Sequence, residues 1–267
     1  MSKNILTSYY YSQIKTKKKL GQNFLINTCV AKKILQYISL NKNSLVLEIG
    51  TGLGILTSVL IETNLAKIYS VEIDMSLKNY LAHFALEPKL YILFQDILKL
   101  QEEKLFKKKF KIIANLPYNI STQLIIKWLK KFPFIEEIVI IVQTEVAKRI
   151  IAKNNTKNFG RLSVILQYLC KCDLLFHIFP NNFYPSPNVN SSVIRLVPQK
   201  KIFNIKNILK LEYTCQKLFN QKRKTLYNII KDKSNNISYI LNKLNINKNL
   251  RAENLTINEI YQISCII

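Results

Sequence analysis

The sequence predicts an α/β protein in which a doubly wound, mostly parallel sheet is followed by a small all-helical region. Three observations support this prediction. Short apolar runs alternate with helical patterns, a glycine-rich stretch joins one run to the next helix, and only helical patterns follow residue 198. Alternating strands and helices are typical of a parallel sheet with right-handed crossovers.

Five apolar runs have the length and composition of buried parallel strands. Each run is short, has an apolar centre, and ends near a polar or turn-forming residue. The runs are SLVLEIG (44–50), KIYSVEID (67–74), KLYILFQD (89–96), FKIIANL (110–116) and EEIVIIVQ (136–143). Because ligands of such sheets bind at the carboxyl ends of the strands, the residues that end these runs are candidates for a site.

The pattern changes after the fifth run. KCDLLFHIF and SSVIRLV predict two further strands, separated by the Pro- and Asn-rich loop PNNFYPSPNVN. Such a cluster of turn-forming residues indicates a loop. From about residue 199 onward only helical patterns remain, so we predict one domain over 1–198 and a helical domain over 199–267.

The charge of the chain indicates a polyanionic partner. The sequence has 40 Lys and Arg against 16 Asp and Glu, which gives a net charge of +24. Such an excess of positive charge is typical of nucleic-acid binding. The alternative is coding bias, since the chain is visibly rich in Lys, Asn and Ile. We favour nucleic acid because lysine bias alone would more often be matched by acids.

Composition also limits the compartment and the chemistry. No stretch approaches the roughly 20 apolar residues that span a membrane, and the N-terminal residues do not resemble a signal peptide. Five cysteines without framework spacing suggest a reducing compartment, so we expect a cytoplasmic protein. His83 and His177 have no carboxylate or cysteine at ligand spacing, so we predict no metal site.

The stretch EIGTGLG (48–54) follows a predicted strand and opens a helix. Glycines at 50, 52 and 54 allow a ligand to approach the backbone closely. The fingerprint of dinucleotide-binding proteins has its third glycine one position later, where this sequence has Ile55. The spacing therefore favours a smaller adenosine-containing ligand.

Two carboxylates follow the next two strands. Glu72 lies near the end of the second run and is placed to accept hydrogen bonds from both ribose hydroxyls of an adenosine. Asp96 ends the third run and can accept a hydrogen bond from the adenine amino group. A glycine loop and two carboxylates at three successive strand ends predict a nucleoside site more strongly than any one of them.

The fourth run ends in Asn115 and Leu116, and Pro117 and Tyr118 follow it. If the ligand is S-adenosylmethionine, the protein must orient a nucleophile toward its methyl group. Pro117 holds Leu116 extended. The side-chain oxygen of Asn115 and the carbonyl oxygen of Leu116 can then accept hydrogen bonds from the two N–H groups of an adenine amino group. Tyr118 and, on the other side, Phe183 are predicted to stack on the extruded base.

The order of the motifs resembles the ribosomal RNA small-subunit adenine N6,N6-dimethyltransferases of the KsgA type. The resemblance covers nearly the whole chain from Lys17 on. It is carried by GQNFL (21–25), EIGTGLG (48–54), VEID (71–74), QDIL (95–98), NLPYNIST (115–122), FGRLSV (159–164), FYPSPNVNSSVIRL (183–196), FNQKRKTL (219–226) and RAENL (251–255).

This resemblance implies a Rossmann-like S-adenosylmethionine-dependent methyltransferase sheet with a small helical domain for RNA and ribosome recognition. It implies dimethylation of two adjacent adenines near the 3′ end of small-subunit rRNA by a monomer acting on the assembling small subunit. The residues it implies for cofactor contact are Asn23, Leu25, Gly50, Glu72, Asp96 and Asn115. The stretch Asn115 to Tyr118 would hold the target base.

Two departures and two alternatives accompany the resemblance. Thr51 stands where many members have proline, and Tyr227 where a basic residue is common. One alternative is a resistance-type methyltransferase acting on large-subunit rRNA, which shares the Asn-x-Pro-aromatic motif. The other is a non-catalytic ribosome-assembly or transcription factor. Because Glu72, Asp96 and Asn115 to Tyr118 are all present, we predict an active enzyme.

Overall fold

A computed structural model of the chain describes residues 14–117, 120–129, 132–199, 204–221, 223–231 and 237–266. The sequence does not predict the two-residue strands Phe24–Leu25 and Phe183–Tyr184; the second lies in the stretch predicted as a loop, and it forms because the two segments pair with each other. The other seven of the nine described strands lie where the apolar runs predict them, and all nine are numbered in chain order. They are β1 (Phe24–Leu25), β2 (Leu45–Ile49), β3 (Lys67–Glu72), β4 (Leu90–Phe94), β5 (Phe110–Asn115), β6 (Ile135–Gln143), β7 (Cys170–Ile178), β8 (Phe183–Tyr184) and β9 (Ser191–Pro198).

Helices connect most of these strands and make up much of the C-terminal part. In chain order they are α1 (Thr28–Leu35), α2 (Ile55–Ile61), α3 (Lys78–Leu81), α4 (Glu102–Leu105), α5 (Ser121–Leu129), α6 (Thr144–Ile150), α7 (Arg161–Leu169), α8 (Ile205–Asn220), α9 (Leu226–Ile230), α10 (Ile237–Lys243) and α11 (Ile257–Ile266).

The main sheet has seven described strands in the order β4-β3-β2-β5-β6-β9-β7. The pairs β2–β3, β3–β4, β2–β5 and β5–β6 are parallel. The chain lays β3 and β4 on one side of β2, and then β5 and β6 on the other. This reversal creates a crevice at the carboxyl ends of the strands, which is where open α/β sheets bind ligands.

The register brings the ends of the central strands level with one another. Ile49 at the end of β2 pairs with Val71 of β3 and with Ala114 of β5. Glu72 at the end of β3 pairs with Phe94 of β4. The residues that directly follow these positions therefore meet at one edge of the sheet.

The central strands are buried on both faces, as their continuous apolar runs predict. Val46, Leu47, Ile112 and Ile113 have no exposed surface. The fold class predicted from the sequence is confirmed.

The described chain divides into two compact units. The first contains the described residues up to Thr144 together with Leu175–Arg195, and the second contains Glu145–Leu174 and Leu196–Ile267. The division of the chain into two functional domains at residue 198 remains a prediction.

The second unit is held together by contacts between helices. The ring of Phe159 lies edge-on to that of Phe219, with centroids 5.9 Å apart. Tyr168 of α7 stacks on Tyr261 of α11. These contacts explain why α7, which precedes the predicted boundary, belongs to the same unit as α8 and α11.

Among the described residues, no helix is long and apolar enough to cross a membrane.

Candidate active site

A cleft lies at the carboxyl edge of the sheet, in the first unit. Its empty volume, which includes the open mouth of the cleft, is about 700 Å³. The ends of β2, β3 and β5, the segment after β4, and an N-terminal segment contribute to its walls. The lining residues are Leu20, Gly21, Gln22, Asn23, Phe24, Ile49, Gly50, Gly52, Val71, Glu72, Ile73, Gln95, Asp96, Ile97, Asn115, Leu116, Pro117 and Ile120.

The glycine loop after β2 passes close to two other segments of the chain. Gly50 and Gly52 have φ values of +74° and +55°, which side-chain-bearing residues rarely adopt. A Cβ atom at Gly50 would lie 3.3 Å from the backbone oxygen of Asn115, and one at Gly52 would lie 2.9 Å from Cδ1 of Phe24. Glycine therefore lets the loop fit between the two other walls of the cleft.

Glu72 anchors this loop from the end of β3. Its Oε2 accepts a hydrogen bond from the backbone N–H of Gly52, and its Oε1 accepts one from Asp74, both at 2.8 Å. Burial raises the pKa of Glu72, although these backbone hydrogen bonds oppose the shift. Each carboxylate oxygen has a second lone pair, so Glu72 keeps acceptor capacity for a pair of ligand hydroxyls.

Asp96 lies in the segment after β4 and also lines the cleft. The backbone N–H of Leu98 donates to its Oδ1 at 2.8 Å, which orients the carboxylate. Among the described residues, no partner binds Oδ2. This arrangement leaves one fixed acceptor for a polar group of a ligand.

Asn115 ends β5 and lines the cleft together with Leu116 and Pro117. Its side-chain Nδ2 donates to the backbone oxygen of Asn23 at 2.8 Å, which leaves Oδ1 as the group available to accept. The N–H of Leu116 donates to the carbonyl of Ile141 at 3.2 Å, which holds the segment against β6. The predicted stacking residue Tyr118 lies outside the described residues.

Leu25 and Phe183 lie outside the cleft lining. They pair with each other across β1 and β8, and their exposed fractions are 5% and 2%. Both side chains pack into the core cluster under the sheet. In this arrangement the ring of Phe183 is not open to a base, so its stacking role remains a prediction that the structure does not support. Cofactor contact by the side chain of Leu25 is likewise not supported.

The basic residues of the motifs FGRLSV and FNQKRKTL, in the second unit, differ in whether an acidic side chain already pairs with them. Arg161 donates from Nη2 to Oε1 of Glu212 at 2.6 Å, so its charge is already partly neutralised. Arg223 and Lys224 are exposed. Lys222 lies outside the described residues.

Among the residues that the structure describes, no group of His, Cys, Asp and Glu could hold a metal ion.

A buried polar network beneath the glycine loop has no counterpart in the roles predicted from the sequence. Glu48 is fully buried, and its Oε2 accepts hydrogen bonds from Thr57 at 2.7 Å and Ser70 at 2.5 Å. The hydroxyl of Thr51 lies 2.7 Å from that of Ser70. Thr51, noted above as a departure from proline, thus extends the network. The hydroxyl residues follow no recognisable spacing, so only the structure identifies them.

The protonation of Glu48 is expected to make stability depend on pH. Burial raises the pKa of Glu48 from 4.5 to about 7, against hydrogen bonds from Ser70 and Thr57. The folded chain therefore holds a proton that the unfolded chain releases. The stabilising contribution is fully present below pH 4.5 and is lost as pH rises through about 7.

Glu48→Gln should remove this dependence. Chemical unfolding between pH 5 and pH 8 should show the free energy of unfolding of the unsubstituted chain falling relative to that of the variant, by up to a few kcal/mol. The difference between the two curves isolates Glu48 from other titrating groups, such as Glu72. Parallel curves over this range would show that Glu48 stays ionised in the fold.

Comparison with known families places nearly the whole chain in one group. The family described as "Ribosomal RNA adenine dimethylase" matches residues 13–267. A similar curated protein is the "Ribosomal RNA small subunit methyltransferase A" of Wolbachia pipientis wMel. It is 38% identical over 251 residues, which cover 92% of this chain and 87% of the relative.

Solved structures share the fold. A dimethyladenosine transferase from Plasmodium falciparum superposes with a TM-score of 0.78 at 24% identity, covering 90% of this chain and 95% of that chain. The 23S rRNA methyltransferase ErmE superposes with a TM-score of 0.69 at 21% identity, covering 91% and 98%. At these identities the likeness concerns the fold alone.

Proposed function

This chain belongs to the ribosomal RNA adenine dimethylase family and is a methyltransferase of that family, and from this premise we propose its reaction. We propose that it transfers methyl groups from S-adenosylmethionine to N6 of two adjacent adenines near the 3′ end of small-subunit rRNA. Its partner would be the assembling small ribosomal subunit. That it acts as a monomer in the cytoplasm is part of the same proposal.

The observation that carries this proposal is the meeting of Glu72, Asp96 and Asn115 in one cleft. Each lies at or just after the carboxyl end of a different strand, and each offers an oxygen acceptor at the same edge of the sheet. Glu72 suits the two ribose hydroxyls of an adenosine, and Asp96 suits its amino group. Asn115 ends β5, on the other side of β2 from Glu72 and Asp96, and we propose that the second substrate meets the cofactor there.

The chemistry of the cleft lining fits S-adenosylmethionine. Its lining combines apolar side chains, such as Ile49, Val71 and Ile97, with the three oxygen acceptors, as small-molecule sites commonly do. When bound, this cofactor supplies an electrophilic methyl group. The glycine loop lets the ligand approach the backbone, and Glu72 would hold the ribose.

The residues at the end of β5 would prepare the nucleophile. The lone pair of an adenine amino nitrogen is delocalised into the ring, so the nitrogen must become pyramidal before it attacks. The Oδ1 of Asn115 and the carbonyl oxygen of Leu116 would accept hydrogen bonds from its two N–H groups and favour the pyramidal geometry. Because Asn23 binds Nδ2, the Asn115 amide is already turned with its acceptor free.

Exposed basic residues on α8 suit a phosphate backbone. Lys206, Lys210 and Lys217 are exposed, and their spacing along the helix places them on one face. Tyr213 belongs to the same face, is 45% exposed, and has the Lys217 ammonium 5.3 Å from its ring centroid. Cations interleaved with an aromatic ring are suited to RNA contact. We propose that this face contributes to binding the subunit.

The decisive experiment compares substrates under identical conditions. The full chain is incubated with labelled S-adenosylmethionine and either immature small subunits, large subunits or naked rRNA. The digested RNA is then analysed by mass spectrometry for N6,N6-dimethyladenosine. We expect label in two adjacent adenines of the small-subunit RNA, with less on naked rRNA and little on large subunits.

Each other outcome supports a different function. Label on one adenine of large-subunit rRNA would favour the resistance-type enzyme. Tight binding to small subunits without any methylated product would favour a non-catalytic assembly factor. Label on small subunits that is confined to N6-monomethyladenosine would leave the enzyme class intact and overturn the dimethylation.

A further inference from the structure

The cleft has an N-terminal wall, residues 17–24, that is not part of the main sheet. Five consecutive residues of this wall, Leu20 to Phe24, line the cleft. The wall begins with a 3₁₀ turn over Lys18–Leu20 and turns at Gly21, whose φ is +63°. At its far end, β1 pairs with β8. The near end needs a different attachment.

Asp74 provides that attachment from the segment after β3. Its side chain is fully buried and accepts hydrogen bonds from Nζ of Lys17 at 2.5 Å and from Nε2 of Gln22 at 2.6 Å. The backbone N–H of Lys17 donates to Oε1 of Gln22 at 2.6 Å. Ser76 donates two further hydrogen bonds to Oδ1 of Asp74. We call the group of Lys17, Gln22 and Asp74 the clasp.

The Asp74 carboxylate of the clasp stays ionised over the whole physiological pH range. Burial alone would raise the pKa of Asp74, but hydrogen bonds from Lys17, Ser76 and Gln22 outweigh it and hold the pKa at about 2. Lys17 is 40% exposed, so its ammonium meets Asp74 from the solvent side. A buried carboxylate with this many donors is costly to leave without its partner cation.

The wall held by the clasp also determines the orientation of Asn115. An asparagine can present either its oxygen or its NH₂ group toward a ligand. A backbone carbonyl can bind only the NH₂ group, and the Asn23 carbonyl binds Nδ2 of Asn115 at 2.8 Å. Asn23 is one residue from Gln22, so displacement of the clasped segment would move this carbonyl away.

We propose that Asp74 is a positioning residue that clasps the N-terminal wall over the cofactor cleft and thereby fixes the acceptor oxygen of Asn115. Closure of the wall and orientation of the asparagine are then one event. The part of this inference that concerns Asn115 rests on the proposed function, because it assumes that Oδ1 accepts an N–H of the target base.

The test uses Asp74→Asn in the full chain, with Lys17→Met as a second variant that alters the clasp from its exposed side. Glu62→Gln is the matched control, because it removes the ion pair between Lys32 and Glu62, whose side chains are 56% and 62% exposed. Hydrogen exchange over residues 17–24 should speed up roughly 10- to 100-fold in both clasp variants and stay unchanged in the control. Unchanged exchange in Lys17→Met would overturn the clasp.

The link to Asn115 is tested by a double-mutant cycle at saturating cofactor and substrate. Asp74→Asn should lower the single-turnover rate roughly tenfold or more, and should add little in the Asn115→Ala background because the oriented group is then absent. Full additivity of the two losses would overturn the positioning role. A merely structural role would lower both backgrounds equally.

A readout without catalysis separates this inference from the proposed function. The side-chain amide protons of Asn115, identified by their loss in Asn115→Ala, should shift in the ¹⁵N spectrum of Asp74→Asn as their hydrogen bond to Asn23 weakens. If no RNA is methylated, the proposed function fails, whereas this shift still supports the positioning of Asn115 by Asp74. An unchanged Asn115 signal together with faster hydrogen exchange over residues 17–24 would show that Asp74 does not position Asn115.

Discussion

Replacing Asn115 by alanine is expected to lower the single-turnover methyl-transfer rate by roughly 100- to 1,000-fold, comparable to the loss of one preorganised hydrogen-bond partner in other enzymes. The structure leaves Oδ1 as the free acceptor because Nδ2 is bound to Asn23. The hydrogen bond from the target amino group to Oδ1 matters most as the amino nitrogen becomes pyramidal. The rate should therefore fall much more than RNA affinity, measured with saturating small subunits and saturating cofactor.

Three further variants test the roles of Asn115 and Tyr118 at the end of this strand. Asn115→Asp keeps an acceptor but places an anion against the Asn23 carbonyl, so we expect a rate between those of the alanine variant and the unsubstituted chain. Tyr118→Phe should stay largely active, whereas Tyr118→Ala should lose stacking worth roughly 1–3 kcal/mol. Equal rate and affinity losses in Asn115→Ala would assign the residue to RNA binding instead. A Tyr118→Phe enzyme as slow as Tyr118→Ala would require chemistry at the hydroxyl.

Glu72→Ala is expected to weaken S-adenosylmethionine binding by roughly 10- to 100-fold, as the loss of charge-assisted hydrogen bonds implies. The substitution removes the ribose acceptors and also the anchor of the glycine loop, since Gly52 donates to Oε2. Glu72→Gln separates the two effects in part, because it keeps one acceptor oxygen and the shape of the side chain. Calorimetry of cofactor binding measures both variants.

The pH dependence of the same binding provides an independent check. Burial raises the pKa of Glu72, so the carboxylate becomes protonated at a higher pH than an ordinary glutamate. Cofactor affinity should fall as pH is lowered through this raised pKa, and the fall should be absent in Glu72→Gln. Unchanged affinity in Glu72→Ala would remove Glu72 from the cofactor site. Tighter binding of NADH than of S-adenosylmethionine would reject the cofactor class.

The sequence by itself determined which runs form the central strands and which residues stand at their carboxyl ends. The run 44–50 predicted β2, and the run 110–116 predicted β5, with boundaries that differ from the observed strands by one residue. Glu72 and Asn115 could be identified because they end their strands. In a parallel sheet of known strand pattern, the carboxyl ends share one edge, so residues at those ends converge without further information.

Only the tertiary structure decided the rest. The Phe183 side chain proved to lie in the core because β8 pairs with β1, and no local pattern specifies that distant partner. Asp74 meets Lys17 across 57 positions of sequence, and Asn115 meets Asn23 across 92. A motif defines which residue follows a strand, but hydrogen bonds between distant segments form only once packing has brought the donor and the acceptor within about 3 Å. The orientation of Asn115, on which the proposed chemistry depends, is therefore a property of the folded chain.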